Sequence, residues 1–500
     1  MPSDRRLHPL SILFGIIRQF GAMVVPLVLI IIGRGTDEDW WNVYALILIV
    51  PFAGIAVARY LSFRYRYEEG DLVIRRGLLF RNQRHIPYDR IQNIDAVQNV
   101  LHRLTGVVEV RVQTGSGNEP EATLSVLALS DLDEMRRRVF LAARPRATEA
   151  GTVEATPVVA PQVLVRLGPG DLALYGIIEN RGLLVIAALL GVLTEFGPAS
   201  RFLERLLGDQ ASRGVLRRTG RALLAGGLSM RVILYGLAGL ALFLLVSRVF
   251  SIGWALVRLH GYTLVKVGED LRAEYGLFTR VTATIPRRRI QCVTVRDTPL
   301  HRLLGCASVR VATAGGMAAE SEKAPQHREW LAPIMRRSDV PGLLAILLPG
   351  IEVSSIDWRG VHPRAFRRAM NRGLATMVLP GTLVMVGLGA AGFWVLPFLA
   401  LWALVRARIY IAHLAWAITT DVAAAREGAF VRTMSIAPLA KIQTVARLES
   451  PFDRRTEMAR VRADTAGRGG DIDVPYLPAA TAHDFYCRLA NAAAGTAFRW

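Results

Sequence analysis

The sequence predicts a multi-domain membrane protein with six transmembrane α-helices in three hairpins, each followed by a small β-domain with a closing C-terminal helix. Three observations support this fold class. Of 500 residues, 52% are hydrophobic, and the mean hydropathy is +0.31. The apolar residues are clustered in paired runs, and the phrase IPYDRIQNI at 86–94 recurs as IPRRRIQCV and APLAKIQTV. Paired runs with a repeated soluble segment indicate duplication of one unit.

Six apolar runs approach the length of a bilayer crossing. They are 21–33 with 43–58, 182–193 with 232–250, and 374–392 with 393–405. One run of a dozen apolar residues is equally typical of a buried soluble helix, but three successive pairs favour membrane hairpins. The run 182–193 reaches bilayer length only with the preceding YGIIEN, which would draw Glu179 toward the membrane.

The runs divide the chain into eight segments. They are hairpin 1 at 1–59, β-domain 1 at 60–145, a linker at 146–170, hairpin 2 at 171–257, β-domain 2 at 258–340, a linker or interfacial segment at 341–373, hairpin 3 at 374–410 and β-domain 3 at 411–495.

Arginines near the span ends predict the orientation of the hairpins. They flank hairpins 1 and 3 on the side of the β-domains, whereas the turn GRGTDEDWWN of hairpin 1 is acidic. The N-terminus, the β-domains and the C-terminus are therefore expected in the cytoplasm. The connection at 201–221 is basic and amphipathic, which is also typical of a cytoplasmic surface helix. Copies of one domain should share a compartment, so we expect this connection outside.

The N-terminus and the cysteines give two smaller expectations. The first span has the basic start of a secretory signal, but no small-residue cleavage site follows it, which favours an uncleaved anchor. Cys292, Cys306 and Cys487 are too few and too widely spaced for a disulfide framework or a zinc site, so they are expected to be reduced structural thiols.

The three repeats align without a gap over almost 40 residues. A glycine precedes a proline by ten positions and an Ile-Gln pair by fourteen; LHRLTG at 101–106 matches LHRLLG at 300–305 and, more weakly, FDRRTE at 452–457. The aligned positions are Gly77, Gly276 and Gly428; Pro87, Pro286 and Pro438; and Gln92, Gln291 and Gln443. This ungapped agreement is strong support for duplication.

Each copy is predicted to form strands on both sides of its glycine. The glycine is free to take positive φ at a turn, and VVEVRVQT alternates so that Val108, Val110 and Val112 share one face. Ser130 can cap a following amphipathic helix. A small β-sheet or barrel closed by a helix results.

The strands around a glycine turn, the IPxxRIQ and LHRLxG motifs, a VRVxT strand and a closing helix resemble the bacterial pleckstrin-homology-like (PH-like) domain. Membrane proteins of that family place such domains after transmembrane hairpins, often in several copies. The third copy departs from the motifs, with Lys441 before its Ile-Gln pair and Glu457 in place of the last LHRLxG glycine. In the second, GGMAAESEKAPQ stands where the last strand is expected, so that strand is predicted to be degenerate.

No pattern in the sequence indicates an enzyme. Catalysis needs a nucleophile with a base, paired carboxylates or clustered metal ligands. His102 and His301 recur in the LHR motif, but each is a lone histidine beside an arginine and the third copy has Asp453, so a structural role is favoured over metal binding or acid-base chemistry. We expect no catalytic residues, no metal and no cofactor.

The net charge of +20 is explained mostly by arginines beside membrane spans, which argues against nucleic-acid binding. Arg287, Arg288 and Arg289 form a basic loop cluster that either meets anionic lipid headgroups or is simply solvated. Phosphoinositide-binding PH-like domains usually use loop cations, so the resemblance favours this cluster. It gives less support to the aligned strand residues Arg111, Arg310 and Arg462, for which a cross-strand ion pair is expected.

These observations predict a membrane-tethered scaffold of the bacterial inner membrane with cytoplasmic PH-like domains. Its expected partners are membrane lipids, peptides, a related PH-like membrane protein or a second copy of itself. The alternative is a component of a transporter or export system. Transport sites need polar groups or broken helices at mid-membrane, and the runs offer little beyond Arg18, Pro26 and Pro380.

Overall fold

Three β-domains follow one another along the chain, each made of two antiparallel strand units. The computed structural model describes residues 5–11, 54, 57–58, 60–68, 70–77, 81–88, 91–114, 122–142, 162–179, 182, 230–313, 330–351, 353–467 and 470–495. The predicted spans 21–33, 43–58 and 182–193 lie almost entirely outside these residues, as does the basic connection at 201–221.

The first unit of each domain is a three-stranded meander. Its strands are β2 (Arg64–Tyr67), β3 (Asp71–Arg76) and β4 (Asn82–Pro87) in domain 1; β9 (Thr263–Val267), β10 (Asp270–Tyr275) and β11 (Arg280–Pro286) in domain 2; and β15 (Ala415–Ile418), β16 (Val422–Glu427) and β17 (Arg432–Pro438) in domain 3. A segment upstream of the hairpin joins each meander. β1 (Arg5–Arg6) pairs with β2, β8 (Gln162–Arg166) pairs with β9, and Arg359 bridges to Trp416 of β15. The predicted linker 146–170 therefore includes a strand of domain 2.

The second unit of each domain begins at the Ile-Gln pair. Its strands are β5 (Ile91–Gln98), β6 (Val107–Thr114) and β7 (Ala122–Ala128); β12 (Ile290–Asp297), β13 (Cys306–Thr313) and β14 (Trp330–Arg336); and β18 (Ile442–Leu448), β19 (Met458–Thr465) and β20 (Ile472–Pro478). A short helix connects its first two strands, namely α1 (Val100–Leu104), α5 (Pro299–Leu303) or α9 (Pro451–Arg454). A helix follows its last strand, namely α2 (Leu129–Ala142), α6 (Val340–Leu347) or α10 (Ala479–Gly495).

Two sheets run from one domain into the next. The order β7-β6-β5-β11-β10-β9-β8 joins the second unit of domain 1 to the first unit of domain 2, and β14-β13-β12-β17-β16-β15 does the same for domains 2 and 3. We call the β5–β11 contact joint 1 and the β12–β17 contact joint 2. Both are antiparallel. Consecutive domains are thus connected by main-chain hydrogen bonds as well as by the chain itself.

The hydrophobic cores follow the alternation of the strands. Leu72, Ile94, Val110 and Met135 are buried in the core of domain 1, which places its two strand units and α2 around one interior. The cores of domains 2 and 3 cross joint 2: Ile436 packs into the core of domain 2, and Cys292 packs into that of domain 3. The joint therefore buries apolar side chains in addition to pairing strands.

Four further helices accompany domains 2 and 3. They are α3 (Pro169–Ile178), α4 (Met230–Arg258), α7 (Ala365–Leu388) and α8 (Leu396–His413). α3 packs closely on α4 at Gly176, where a Cβ would lie 2.6 Å from the Cα of Ile252. A 3₁₀ segment, Gly389–Trp394, connects α7 to α8 within the region where the third hairpin is predicted.

Two described stretches, Leu237–Arg258 and Gly392–His413, are long and apolar enough to cross a membrane. The sequence predicts six such spans, and the structure does not establish that number. Three of the six fall outside the described residues, and α7 begins with Arg367, Arg368 and Arg372, whose charges lower its hydropathy. Glu179, expected near the membrane, caps α3 and accepts a hydrogen bond of 3.5 Å from Arg296 of β12.

The end of domain 2 differs from the expectation of a degenerate last strand. The strand is β14, which pairs with β13 downstream of the glycine-rich segment. The closing helix α6 follows at once and occupies the start of the predicted linker 341–373. The alternation needed to recognise β14 is obscured because Trp330–Arg336 contains a proline and two register shifts.

Candidate membrane-facing surface and interdomain joints

The three aligned glycines lie at the turn between the second and third strands of each domain. Their φ angles are +110° at Gly77, +112° at Gly276 and +100° at Gly428, as the sequence predicted. A Cβ on Gly276 would lie 2.0 Å from the carbonyl oxygen of Thr279, and one on Gly428 would lie 1.9 Å from that of Val431. Both the positive φ and the close approach of backbone require glycine at these two turns.

These glycine turns contact the long apolar helices. In domain 2, the Gly276 amide donates to the carbonyl of His260 at 2.9 Å, and the Leu277 amide donates to that of Val257 in α4 at 3.0 Å. In domain 3, the ring of Phe430 stacks on that of Trp402 in α8, with 6.3 Å between centroids. The turn end of each of these two domains therefore lies beside the helix that leads into it.

Exposed apolar side chains cluster at this same end. They belong to the glycine turns and to the short helices, and we call them the apolar row: Leu101, Leu104, Phe278, Leu303, Leu304, Phe430, Val431 and Phe452. Arg103 of α1 donates to the carbonyl of Leu277 at 3.1 Å, and Arg302 of α5 donates to that of Phe430 at 2.9 Å. The short helix of one domain thus lies next to the turn of the following domain, and the row continues across both joints.

On α4 and α8, a tryptophan and an arginine side chain lie close to the position of the glycine turns. Arg258 lies over the ring of Trp254 in α4 at 6.0 Å, and Arg406 lies over that of Trp402 in α8 at 5.6 Å. Both pairs belong to an identical pentapeptide, WALVR, at 254–258 and 402–406. Tryptophan and arginine are typical of the membrane interface. A search for short repeats at the ends of the apolar runs and just beyond them would have found this pair, which the motif alignment of the β-domains missed.

The basic cluster Arg287–Arg289 lies at the other end of β11. It forms a single 3₁₀ turn after Pro286, and the seven residues of β11 separate it from the glycine turn, about 20 Å at the rise of a strand. Arg287 forms an ion pair with Glu269, and Arg288 is exposed. Burial and the nearby Arg288 lower the pKa of Arg289 to about 10, against the opposing effect of Asp270. Headgroup binding by this cluster stays a prediction.

The aligned prolines and glutamines lie where the two units of a domain meet. Pro87, Pro286 and Pro438 each end the last strand of the first unit. Gln291 is only 5% exposed, and its Nε2 donates to the carbonyl of Arg289 at 3.2 Å, whereas Gln443 is exposed. The side chain of Gln92 lies outside the described residues. The structure therefore gives equivalent glutamines different surroundings in domains 2 and 3.

The repeated histidines have the structural role favoured by the sequence. The Asn99 amide donates to Nδ1 of His102 at 3.2 Å, and the Thr298 amide donates to Nδ1 of His301 at 3.3 Å, which caps α1 and α5. In domain 3, Asp453 takes this place and accepts from the Ser450 amide at 3.1 Å. Burial lowers the pKa of both histidines, so they favour the neutral form.

The aligned strand arginines form ion pairs mainly along their own strands. Arg111 contacts Glu109 at 3.0 Å, and Arg462 contacts Asp464 at 2.8 Å and Asp471 at 2.6 Å. Side chains two positions apart on a strand share a face, which explains why Glu109 and Asp464 are partners. Asp471 directly precedes β20, the strand that pairs with β19, so Arg462 also has the expected partner on the neighbouring strand side. Arg310 lies opposite Thr294 of β12.

The remaining candidate groups give no further site. Cys292, Cys306 and Cys487 are free thiols, and burial raises the pKa of Cys292 to about 12. Within the ranges that the structure describes, no group of three His, Cys, Asp or Glu side chains could hold a metal ion.

Comparison with known proteins agrees with the repeated architecture. The sequence model of the Bacterial PH domain family matches three segments, 12–142, 214–359 and 369–493, which together make up most of the chain. The UPF0699 transmembrane protein YdbT of Bacillus subtilis (strain 168) is 22% identical over 391 residues, which cover 75% of each protein. No solved structure matches the chain. This chain therefore belongs to the bacterial PH domain family, as a membrane protein with three copies of the domain.

Proposed function

We propose that this protein is a scaffold of the bacterial inner membrane, in which membrane hairpins hold a row of PH-like domains against the lipid surface. The domains bind lipid headgroups, peptides or partner membrane proteins, and the proposal includes no catalytic step. The observation that carries it is the pair of joints, because strand pairing fixes neighbouring domains in one arrangement. A fixed row of binding modules is suited to organising partners.

The proposed orientation is multi-pass with the three domains in the cytoplasm. It is supported by Arg406 and Arg408 near the domain end of α8 and by the acidic turn of hairpin 1. We expect Glu38→Cys, in a Cys487→Ser background, to react with a membrane-impermeant maleimide only from the outside. Labelling of this position from the cytoplasmic side alone would contradict the orientation.

The apolar row is the surface that we propose to contact lipid. Its side chains lie beside α4 and α8 at the level of the Trp254 and Trp402 rings. Rings and leucines at the interface would bury apolar area in the acyl region, while the arginines of the WALVR segments meet the headgroups. The apolar row would therefore let neighbouring domains contact the membrane with their side chains at the same depth in the lipid.

Depth-dependent quenching in nanodiscs tests this surface with the full-length protein. An environment-sensitive fluorophore on Phe278→Cys should be quenched strongly by lipids brominated on the acyl chain. The same fluorophore on Arg288→Cys, at the other end of β11, is the matched control and should be quenched much less. Stronger quenching at position 288 would instead place the basic cluster at the lipid surface.

A further inference from the structure

The two ends of the domain row carry the same strands that form the joints inside it. β4 of domain 1 is equivalent to β11 and β17, and β18 of domain 3 is equivalent to β5 and β12. In the described part of the chain, β4 pairs with β3 on one side only, and β18 pairs with β19 on one side only. Each end therefore presents the edge that its counterparts use to meet a neighbouring domain.

The two internal joints use one register. In joint 1, Arg280 lies opposite Gln98 and Val281 lies opposite Val97; in joint 2, Arg432 lies opposite Asp297 and Thr433 lies opposite Arg296. In both joints, the arginine lies four positions after the turn glycine of its domain. It is opposite the residue that lies seven positions after the isoleucine of the Ile-Gln pair in the preceding domain. The same rule applied to the two ends sets Arg81 opposite Glu449 and Asn82 opposite Leu448.

The chemistry of the two ends suits this register. Arg81 and Glu449 have opposite charges, as Arg432 and Asp297 do in joint 2. Leu448 is 48% exposed on the outer strand of domain 3. Arg454, exposed on α9, is the counterpart of Arg103 and Arg302, which donate to turn carbonyls across the two joints. Within the residues that the structure describes, the end of domain 3 thus carries the parts of a joint but no neighbouring domain.

We propose that copies of this chain join head to tail in the membrane, with β18 of one copy pairing antiparallel with β4 of the next in the register of the internal joints. This inference rests on the proposed scaffold function, since it names a second copy of the chain as the partner. The contact is heterologous, so repetition leads either to a closed ring or to an open chain. Hairpins that all enter one membrane keep every domain on the same surface, which favours an arc or ring lying in the membrane plane.

The terminal joint should be weaker than the internal ones. β4 is polar, with Asn82, Gln83 and His85 exposed, and polar edge strands resist unwanted pairing. Confinement to a membrane raises the effective concentration of the partner and favours even a weak contact. The assembly is therefore expected in native membranes and at high protein density more than in dilute detergent.

Disulfide crosslinking of the full-length protein in native membranes tests the register. In a Cys487→Ser background, Asn82→Cys with Leu448→Cys should give a ladder of crosslinked oligomers under mild oxidation. Asn82→Cys with Ala446→Cys keeps the same face of β18 but shifts the register by two residues, so it is the matched control. We expect crosslinking about tenfold below the Asn82/Leu448 pair, because its Cβ atoms lie too far apart for a disulfide.

Two further controls define the result. Val97→Cys with Val281→Cys, the equivalent pair of joint 1, should crosslink within one chain without an increase in mass. Membranes that carry Asn82→Cys chains mixed with Leu448→Cys chains should give mixed dimers, whereas either chain alone should give few. This separates a head-to-tail contact from a symmetric one.

Two outcomes would overturn the proposal. The first is an Asn82/Leu448 pair that crosslinks no better than the shifted pair while Val97/Val281 crosslinks well. The second is either single variant forming dimers alone as efficiently as the mixture. The scaffold function is tested separately, by the quenching experiment on Phe278 and Arg288. A negative crosslinking result combined with strong quenching at position 278 would therefore contradict self-assembly alone.

Discussion

β12 and β18 start with the same Ile-Gln pair and lie beside equivalent strands, yet their surroundings differ. In β12, the first four residues, Ile290–Val293, are all buried. Val293 pairs with Ile436 of β17, and the segment of domain 3 that contains Gly467 and Gly470 lies against Gln291 and Cys292. In β18, Ile442 alone is buried. Exposure in β18 therefore follows from its position at the end of the row, since the sequence pattern of the two strands is alike.

This comparison gives each position in a joint a matched position at the end of the row. The joint position should be sensitive to substitution, and the end position should be tolerant as long as the chain is alone in detergent. The stability predictions below concern the full-length protein in detergent and are arranged from the largest expected effect to the smallest.

The turn glycine of joint 1 should be the most sensitive position. A Cβ at Gly276 would collide with the carbonyl of Thr279, and the same turn accepts the hydrogen bond from Arg103. We expect Gly276→Ala to reduce the free energy of unfolding by about 3 kcal/mol. Gly268 also has positive φ but no atom within 4 Å of its Cβ position, so Gly268→Ala should cost about 1 kcal/mol. Equal losses in urea denaturation would contradict the packed turn.

The arginines of the LHR motif test the joint directly. Arg302 donates to Asp297 at 2.8 Å and to the carbonyl of Phe430 in the next domain. We expect Arg302→Ala to cost about 1–2 kcal/mol. The counterpart change, Arg454→Ala, should stay within about 0.5 kcal/mol in detergent, yet reduce head-to-tail crosslinking in membranes. An effect of Arg454→Ala on the denaturation of single chains as large as that of Arg302→Ala would argue against the comparison.

Substitution of the equivalent glutamines should also destabilise the joint position more than the end position, but by a smaller margin. Gln291→Ala removes a buried amide and its hydrogen bond to the carbonyl of Arg289, so we expect a loss of about 1 kcal/mol. Gln443→Ala should change stability by less than about 0.5 kcal/mol, since that side chain is exposed. Urea denaturation of the two variants beside the unmodified protein measures the difference. Indistinguishable midpoints for all three would contradict the burial of Gln291.

The capping residues predict a difference in acid sensitivity. Burial lowers the pKa of His301 in the folded protein. Below the unperturbed histidine pKa of about 6.5, the unfolded chain therefore binds more protons at this residue than the folded chain does. The free energy of unfolding falls as the pH drops through that value. Arg296 also lowers the pKa of His301, whereas Glu179 and Asp297 raise it.

The equivalent cap in domain 3, Asp453, responds to a lower pH range. Burial would raise the pKa of Asp453, but hydrogen bonds from Ser450 and Arg368 lower it overall. Its contribution is therefore lost only below about pH 4.

Proteolysis of domain 2 at pH 7 and pH 5 measures this difference. Cleavage should increase on acidification in the unmodified protein and much less in His301→Asp, which copies the capping residue of domain 3. A His301→Asp variant with the original acid response would show that another group is responsible.

Much of each domain could be predicted from the sequence, because its signals are local. The positive φ of Gly276, the strands on both sides of it and a structural role for His301 follow from residue types at short spacing. The specific role of His301 as a helix cap is visible only in the structure. The family resemblance, carried by the same motifs, is confirmed by the three matched segments. The number of membrane spans is not settled in the same way, since half of the predicted runs lie outside the described residues.

The joints could not be predicted in this way. β5 and β11 are separated by almost two hundred residues, and neither strand has a pattern that distinguishes a shared edge from a solvated one. The position of Arg287–Arg289 was equally hidden. A run of arginines indicates a basic surface, but only the direction of β11 shows that this surface lies opposite the glycine turn.

Hydrogen exchange of the full-length protein in nanodiscs that hold one chain each tests the shared sheets most directly. The account predicts that the amides of β12, with strands on both sides, exchange at least about tenfold more slowly than those of β18, which has one neighbouring strand in the described chain. Equal exchange in residues 290–297 and 442–448 would contradict the pairing of β12 with β17, and with it the fixed row of domains.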